Sequence, residues 1–290
     1  MNAPRRHLVI NADDLGFAPG VNRGIVEAHR HGVLTSASMM VNTPAFAEAV
    51  ELVRRDAPRL GVGLHLNLVQ GKPLSAAPSL VDPSSGCFHT LEVLARRALA
   101  GQVDAADVRR ECDAQLAALS AAGIEATHLD SHRHAHAMPG ILPAVAAAAR
   151  DAGVRVVRRP LDQPSLLDPI ASAKMLVLHA AWRTALHGVA PAHRALLAGA
   201  PHFRGIAMQG APDIRDRLLA TIDALPLGTT EIMMHPGYDD EVLAAQDPFR
   251  KEREAEVAAL CDPEVATRLE RGDVMLISFG GSGSRELLSR

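Results

Sequence analysis

Short apolar runs alternating with longer amphipathic segments set the strongest limit on how this 290-residue chain can fold. The runs are His7–Asn11, Ser38–Asn42, Gly61–Leu66, Ala126–Asp130, Val154–Arg158, Arg204–Met208, Thr230–His235 and Val274–Phe279. Between them, residues 20–31, 45–56, 104–122, 140–152, 213–224 and 248–260 carry apolar positions at helical spacing. Thr43-Pro44 and Asp247-Pro248 read as cap-and-proline helix starts, and Gly32, Gly123 and Gly153 stand where helix-ending glycines are expected. Such alternation builds a parallel sheet covered by helices. About eight units suit a (β/α) barrel-like α/β fold, related to the TIM barrel, better than an open sheet. A single domain over residues 1–290 is expected. Residues 70–90, with Pro73, Pro78, Pro83 and Gly86, read as a long loop. Residues 160–200 read as a helical insertion over one barrel end, because Lys174–His187 is long, apolar and helical.

Composition narrows the function classes. Thirty Lys and Arg face 33 Asp and Glu, so the basic excess of a nucleic-acid binder is missing and no such partner is expected. No apolar run approaches the ~18–20 residues of a membrane span, and Leu8-Val9-Ile10 is too short for a signal segment. Cys87, Cys112 and Cys261 form no CxxC, which argues against thiolate zinc or a disulfide framework and fits a reducing, cytoplasmic setting. A homodimer is the base-rate expectation for oligomeric state.

The 14 histidines carry the chemical signal, because they gather with carboxylates at the ends of apolar runs. The first run ends in Asn11-Ala-Asp13-Asp14, and the third holds His65. The fourth leads into His128-Leu-Asp130-Ser-His132-Arg-His134-Ala-His136, and the seventh ends at His235-Pro-Gly. Taken alone, Asp13-Asp14 is a solvated turn, His65 a satisfied core histidine and His235 a structural residue. In a barrel, however, the C-terminal strand ends share one rim, where active sites are built. Adjacent carboxylates repel unless a cation intervenes, and neutral imidazole suits zinc and similar ions. At strand spacing His128, Asp130, His132, His134 and His136 share a face, with Arg133 opposite. Ser131 and Ser282 lie in no GxSxG elbow. Gly280–Gly283 reads as a loop, Cys112 as a core residue, and Arg250-Lys-Glu-Arg-Glu as a solvated helix face.

Four segments in this order resemble the YdjC/ChbG-type carbohydrate deacetylases, a family that includes a hopanoid-biosynthesis branch. They are Asn-Ala-Asp13-Asp14-Leu-Gly, Gly-Leu-His65-Leu-Asn-Leu, Thr-His128-Leu-Asp130-Ser-His132 and Met-His235-Pro-Gly. The resemblance runs from about residue 6 to 280. It implies a barrel-like fold and metal-dependent removal of an N-acetyl group from an amino sugar, free or lipid-linked. It implies one divalent ion, Mg or Zn, on Asp14, His65 and His132, with Asp13 as base and His235 as acid. Arg158 then orients Asp13 or binds substrate, and His134 and His128 are further substrate-binding candidates. Two other readings of the same residues are a phosphoesterase, which favours two metals ~3.5–4 Å apart, and a non-catalytic sugar-binding module. The free carboxylate of Asp13 weighs against the latter, since binding alone needs no base.

Overall fold

The computed structural model describes residues 6–163 and 169–280. Ser282 and most of the glycine-rich tail lie outside them. The strands are β1 (Arg6–Leu15), β2 (Ser36–Met39), β3 (Gly61–Leu66), β4 (Leu129–Ser131), β5 (His202–Arg204), β6 (Gly228–Met234) and β7 (Val274–Leu276). The helices are α1 (Pro19–His31), α2 (Phe46–Asp56), α3 (Leu91–Leu99), α4 (Ala105–Ala121), α5 (Leu142–Asp151), α6 (Pro169–His187), α7 (Ile214–Asp223), α8 (Glu241–Ala244), α9 (Glu252–Leu260) and α10 (Pro263–Glu270). Every strand pairing is parallel, in the order β4-β3-β2-β1-β6-β5. β7 joins the first half of β1, at Arg6–Leu8, while β2 takes the second half. A strand with neighbours on both edges and helices over it must be apolar throughout. Leu8, Val9 and Ile10 accordingly have no exposure.

The sheet curls into a barrel that backbone pairing leaves open. Arg158 lies beside β4 through the single bridge Leu129–Val157, yet its side chain reaches Asp13 on β1 and Glu231 on β6. Only a wrapped sheet brings those elements together. The gap between the two sheet edges is spanned by a side chain. Asp162 Oδ2 accepts from the backbone N–H groups of Gly205 and Ile206, just past β5, at 3.0 Å each.

Several sequence expectations are corrected here. The fifth run forms one bridge instead of a strand, because Val157 N–H bonds to Leu196 and Pro160 has no N–H for a ladder. The strand of the sixth run, β5, ends at Arg204, since the next backbone N–H groups go to Asp162. Thr43 does not start a helix. Its hydroxyl donates to Gly16 O at 2.5 Å, and α2 begins at Phe46. Asp247 likewise precedes α9 by five residues and pairs with Arg253. Gly123 and Gly153 adopt φ of +75°, as helix-ending glycines do. Gly32 also ends α1 as expected, but in an extended conformation, and a Cβ there would collide with Leu260 O. α3 and α10, which the apolar spacing did not single out, are both capped: Thr90 accepts from Val93 N–H and Asp262 from Glu264 N–H.

The expected loop is present, and carboxylates of α4 hold it. Glu111 accepts from Leu74 and Ser75, and Asp107 from Ser79. The insertion is helical as expected. α6 packs on α5 and on the turn after β4, burying Met175 and Trp182. Among the described residues, no helix is long and apolar enough to cross a membrane.

Candidate metal centre and its pocket

The site starts from an irregularity in β1. Ala12 pairs with Ala37 but Leu15 with Met39, so three steps on β1 face two on β2. Asp14 sits in this bulge with φ of +71°. In a regular strand, residues 13 and 14 point to opposite faces. A bulge re-aims one of them, and here both carboxylates line one cavity. Gly16 turns the chain away. A Cβ there would lie 2.5 Å from Met40 O, which only glycine avoids.

Two imidazole nitrogens converge on one oxygen of Asp14. Its Oδ1 is 3.2 Å from His65 Nε2 and 2.9 Å from His132 Nδ1. Donor atoms of the three residues lie within 4.8 Å of one another, and all three residues are buried. Asp14 Oδ2 is taken by Arg253 Nη2 at 2.8 Å. Burial would raise the Asp14 carboxyl, but Arg253 and His132 outweigh it and hold the group well below the carboxylate range. His65 is oriented from behind, its Nδ1 2.7 Å from Asp130 Oδ1 and 3.1 Å from Ser38 Oγ. Such a carboxylate behind a histidine fixes the tautomer and aims the other nitrogen at an ion. Burial works against a charge on His65, yet Asp130 and Asp13 push it up to about 10.

This donor set fits a small divalent cation. One carboxylate and two imidazoles supply three ligands and leave further positions open. Asp13, His65 and Asp130 form a second cluster with metal-ligand spacing. There, however, Arg158 already supplies the positive charge.

Asp13 is held quite differently from its neighbour. Its oxygens accept from Arg158 Nη1 and Nη2 at 2.6 Å each, and Oδ1 also from Asn11 Nδ2 at 3.0 Å. Burial favours the neutral acid, but Arg158 more than offsets this and keeps the group ionised below the usual range. Arg158 itself is 1% exposed and does not line the cavity, so it contacts Asp13 rather than open space.

The segment after β4 departs from strand geometry. Alternation stops at Ser131, and residues 132–137 form a 3₁₀ turn with φ of +54° at Arg133 and +56° at His134. The five residues expected on one face are therefore dispersed. His132 faces Asp14. His134 and Arg133 both line the cavity, which corrects the placing of Arg133 on the far side. His134 is buried and kept neutral by burial and by Arg158, and its Nδ1 has no partner among the described residues. His136 turns inward, Nδ1 to Ser131 Oγ at 2.5 Å and Nε2 to the Arg158 carbonyl at 3.0 Å. His128 points away from the cavity. It stacks on Phe279 at 4.4 Å and meets Thr127 Oγ1 at 2.9 Å, so it is not near enough to line the pocket.

His235 closes the cavity from the end of β6. Its backbone N–H donates to Glu256 and its ring meets Phe249 edge-on at 5.7 Å. Burial pushes it down to about 4, although Asp13 and Asp14 pull the other way. The cavity of about 270 Å³ is completed by Leu91, Lys174, Gln209, Met233, Asp247, Pro248, Phe249 and Arg253. Arg253 was hidden in a charge run that reads as a solvated face. In fact it is 1% exposed, since Arg253, Val257 and Leu260 fall on one helical face. That spacing is the signal that finds it.

The profile of the YdjC-like protein family matches residues 7–271. The chain is 34% identical over 277 residues to a "Carbohydrate deacetylase" of Geobacillus stearothermophilus, covering 94% of this chain and 97% of that one. It is 35% identical over 254 residues to a human protein of the same description, covering 82% and 77%. It is 32% identical over 276 residues to a "Chitooligosaccharide deacetylase" of Yersinia pestis, covering 94% and 97%. Among solved structures, it resembles one from Enterococcus faecalis V583 provisionally assigned to cellobiose-phosphate cleavage. The TM-score is 0.75 at 26% identity, covering 95% and 98%.

Proposed function

This chain belongs to the YdjC-like protein family, and from that premise we propose that it is a metal-dependent hydrolase that removes the N-acetyl group of a small amino sugar. The observation that carries the reading is the convergence of His65 and His132 on one oxygen of Asp14, with the carboxylate of Asp13 beside it in the same cavity. Asp14, His65 and His132 would hold one divalent ion, Mg or Zn. Bound there, it would acidify a water and polarise the acetamide carbonyl. One ion suffices, because Arg158 occupies the second acidic cluster.

The residues divide the proton work. Asp13 takes the proton of the attacking water. A carboxylate held so low is a weak acceptor, so it acts only on an acidified water. Arg158 keeps it ionised and fixed in direction. His235 delivers a proton to the departing amine nitrogen. Burial keeps the resting imidazole neutral at pH 7. The proton it delivers is therefore the one Asp13 has taken from the water, passed on within the turnover across the cavity that both line. His134 supplies a neutral hydrogen-bonding nitrogen to the substrate. Phe249 adds an apolar side chain to the cavity wall.

The test is acetate release from a panel of N-acetylated mono- and disaccharides, with and without chelator and added divalent ions. Chelator-sensitive release is the expected result. No release from any member, with the ion bound, would sink the reading and favour phosphate esters as the next panel.

A further inference from the structure

Glu231 is an anomaly in its strand. It sits in Thr-Glu-Ile-Met-Met at the middle of β6, opposite Val9, and is 1% exposed. A buried carboxylate inside a parallel sheet is costly unless it is paired. Its partner is Arg158, with Nε at 2.8 Å and Nη2 at 2.7 Å from the same oxygen, Oε1. The guanidinium is thereby gripped on two edges. Its outer fork, Nη1 and Nη2, holds both oxygens of Asp13. Its inner edge, Nε and Nη2, rests on Glu231. Nη2 also lies 2.6 Å from Asp130 Oδ2, a charge contact without hydrogen-bond direction. The Phe203 ring covers the guanidinium at 5.4 Å. A planar group held on one edge can still rotate about its side-chain bonds. Held on two, its plane is set, and with it the plane of the carboxylate it grips.

We propose that Glu231 is a positioning residue for the deacetylation, fixing the direction of Asp13 through Arg158. Its role is reach: an acceptor oxygen placed at the inner edge of the guanidinium. Arg158 keeps Asp13 and Asp130 as anionic partners, so loss of the Glu231 charge alone leaves the guanidinium paired. The proposal rests on the reading of Asp13 as base.

Two variants separate reach from charge in the metal-loaded full-length enzyme. Glu231→Gln keeps the acceptor at the same distance and drops the charge. Glu231→Asp keeps the charge and withdraws the oxygen by one methylene. Both stay polar and leave Arg158 with nearby acceptors. Glu231→Asp is expected to lower kcat by about 10–100-fold, the usual cost of losing a supporting contact, with KM and ion content unchanged. Glu231→Gln is expected to retain most of kcat. Crystal structures should show the paired Asp13–Arg158 bonds kept in the Gln variant and rotated in the Asp variant, a readout independent of turnover. Wild-type kcat in Glu231→Asp, or equal losses in both variants together with loss of the ion, would overturn the proposal. Absence of acetate release from the wild type would instead overturn the deacetylase reading, and the crystal structures would still decide the role of Glu231.

Discussion

The two halves of the site are built on opposite plans. The rim half, Asp14 with His65 and His132, gathers atoms that all want the same cation. Each comes from a different strand end, and their shared contact is Oδ1 of Asp14. The interior half, Asp13 with Arg158, Asp130 and Glu231, already contains its cation and is closed to the cavity apart from Asp13. Arg158 takes both oxygens of Asp13, whereas Arg253 takes only Oδ2 of Asp14 and leaves Oδ1 to the two imidazoles. Two residues adjacent in sequence fall on either side of that divide because a bulge places Asp14 in a left-handed backbone. In the proposed reading, local backbone geometry separates ligation from base work, since the two side chains are chemically identical.

The sharpest way to break this contrast is to remove a rim ligand. His132→Ala is expected to lose the bound ion and to bring turnover down to background, checked by elemental analysis beside acetate release. An unchanged metal content would take His132 out of the ligand set. The matching change in the interior half should behave differently. Asp13→Asn is expected to lower kcat by ~10²–10⁴-fold, the usual worth of a general base, with full metal occupancy. Full activity would remove Asp13 from the mechanism.

Asp130 joins the two halves, since it touches both His65 and Arg158. Asp130→Asn should weaken ion affinity by about 10–100-fold, measured by competition with a chelating dye. No change would mean that Ser38 alone suffices to orient His65. A last expectation is a proton count. His65 is pushed up to about 10 without an ion, whereas a metal-ligating imidazole is neutral. Ion binding below that pH must therefore release the His65 proton. Affinity should climb about tenfold per pH unit from this step and level off near pH 10. Calorimetry in two buffers of different ionisation heat would read the release, and ion uptake without proton release at pH 7 would remove His65 from the ligand set.

The rim half was legible in sequence, and so was most of the interior half: Asp13, Asp130 and Arg158 were singled out there, and Glu231 alone was not. Strand-end positions and motif order pointed to Asp13, Asp14, His65, His132 and His235. The strands that carry most of them, β1, β3 and β6, each hold a short apolar stretch and are buried along nearly their whole length. β4 misled because its alternation ends at two residues with left-handed backbone, neither a glycine, and no local signal marks them. The fifth run keeps only its bridge to β4 and gives the Val157 N–H to Leu196 of the insertion, a tertiary choice. Arg253 and Glu231 were passed over for opposite reasons. Arg253 sits in a run of charges that looks solvated, and Glu231 in an apolar run that looks like plain core. In both cases the clue was one charged residue on an otherwise buried face.

Division of labour between neighbouring carboxylates is the central claim, and equilibrium ion binding by Asp13→Asn beside Asp14→Asn tests it most directly. The expected result is near wild-type affinity in the first and loss of the ion in the second. Loss of the ion in Asp13→Asn, or its retention in Asp14→Asn, would contradict the assignment.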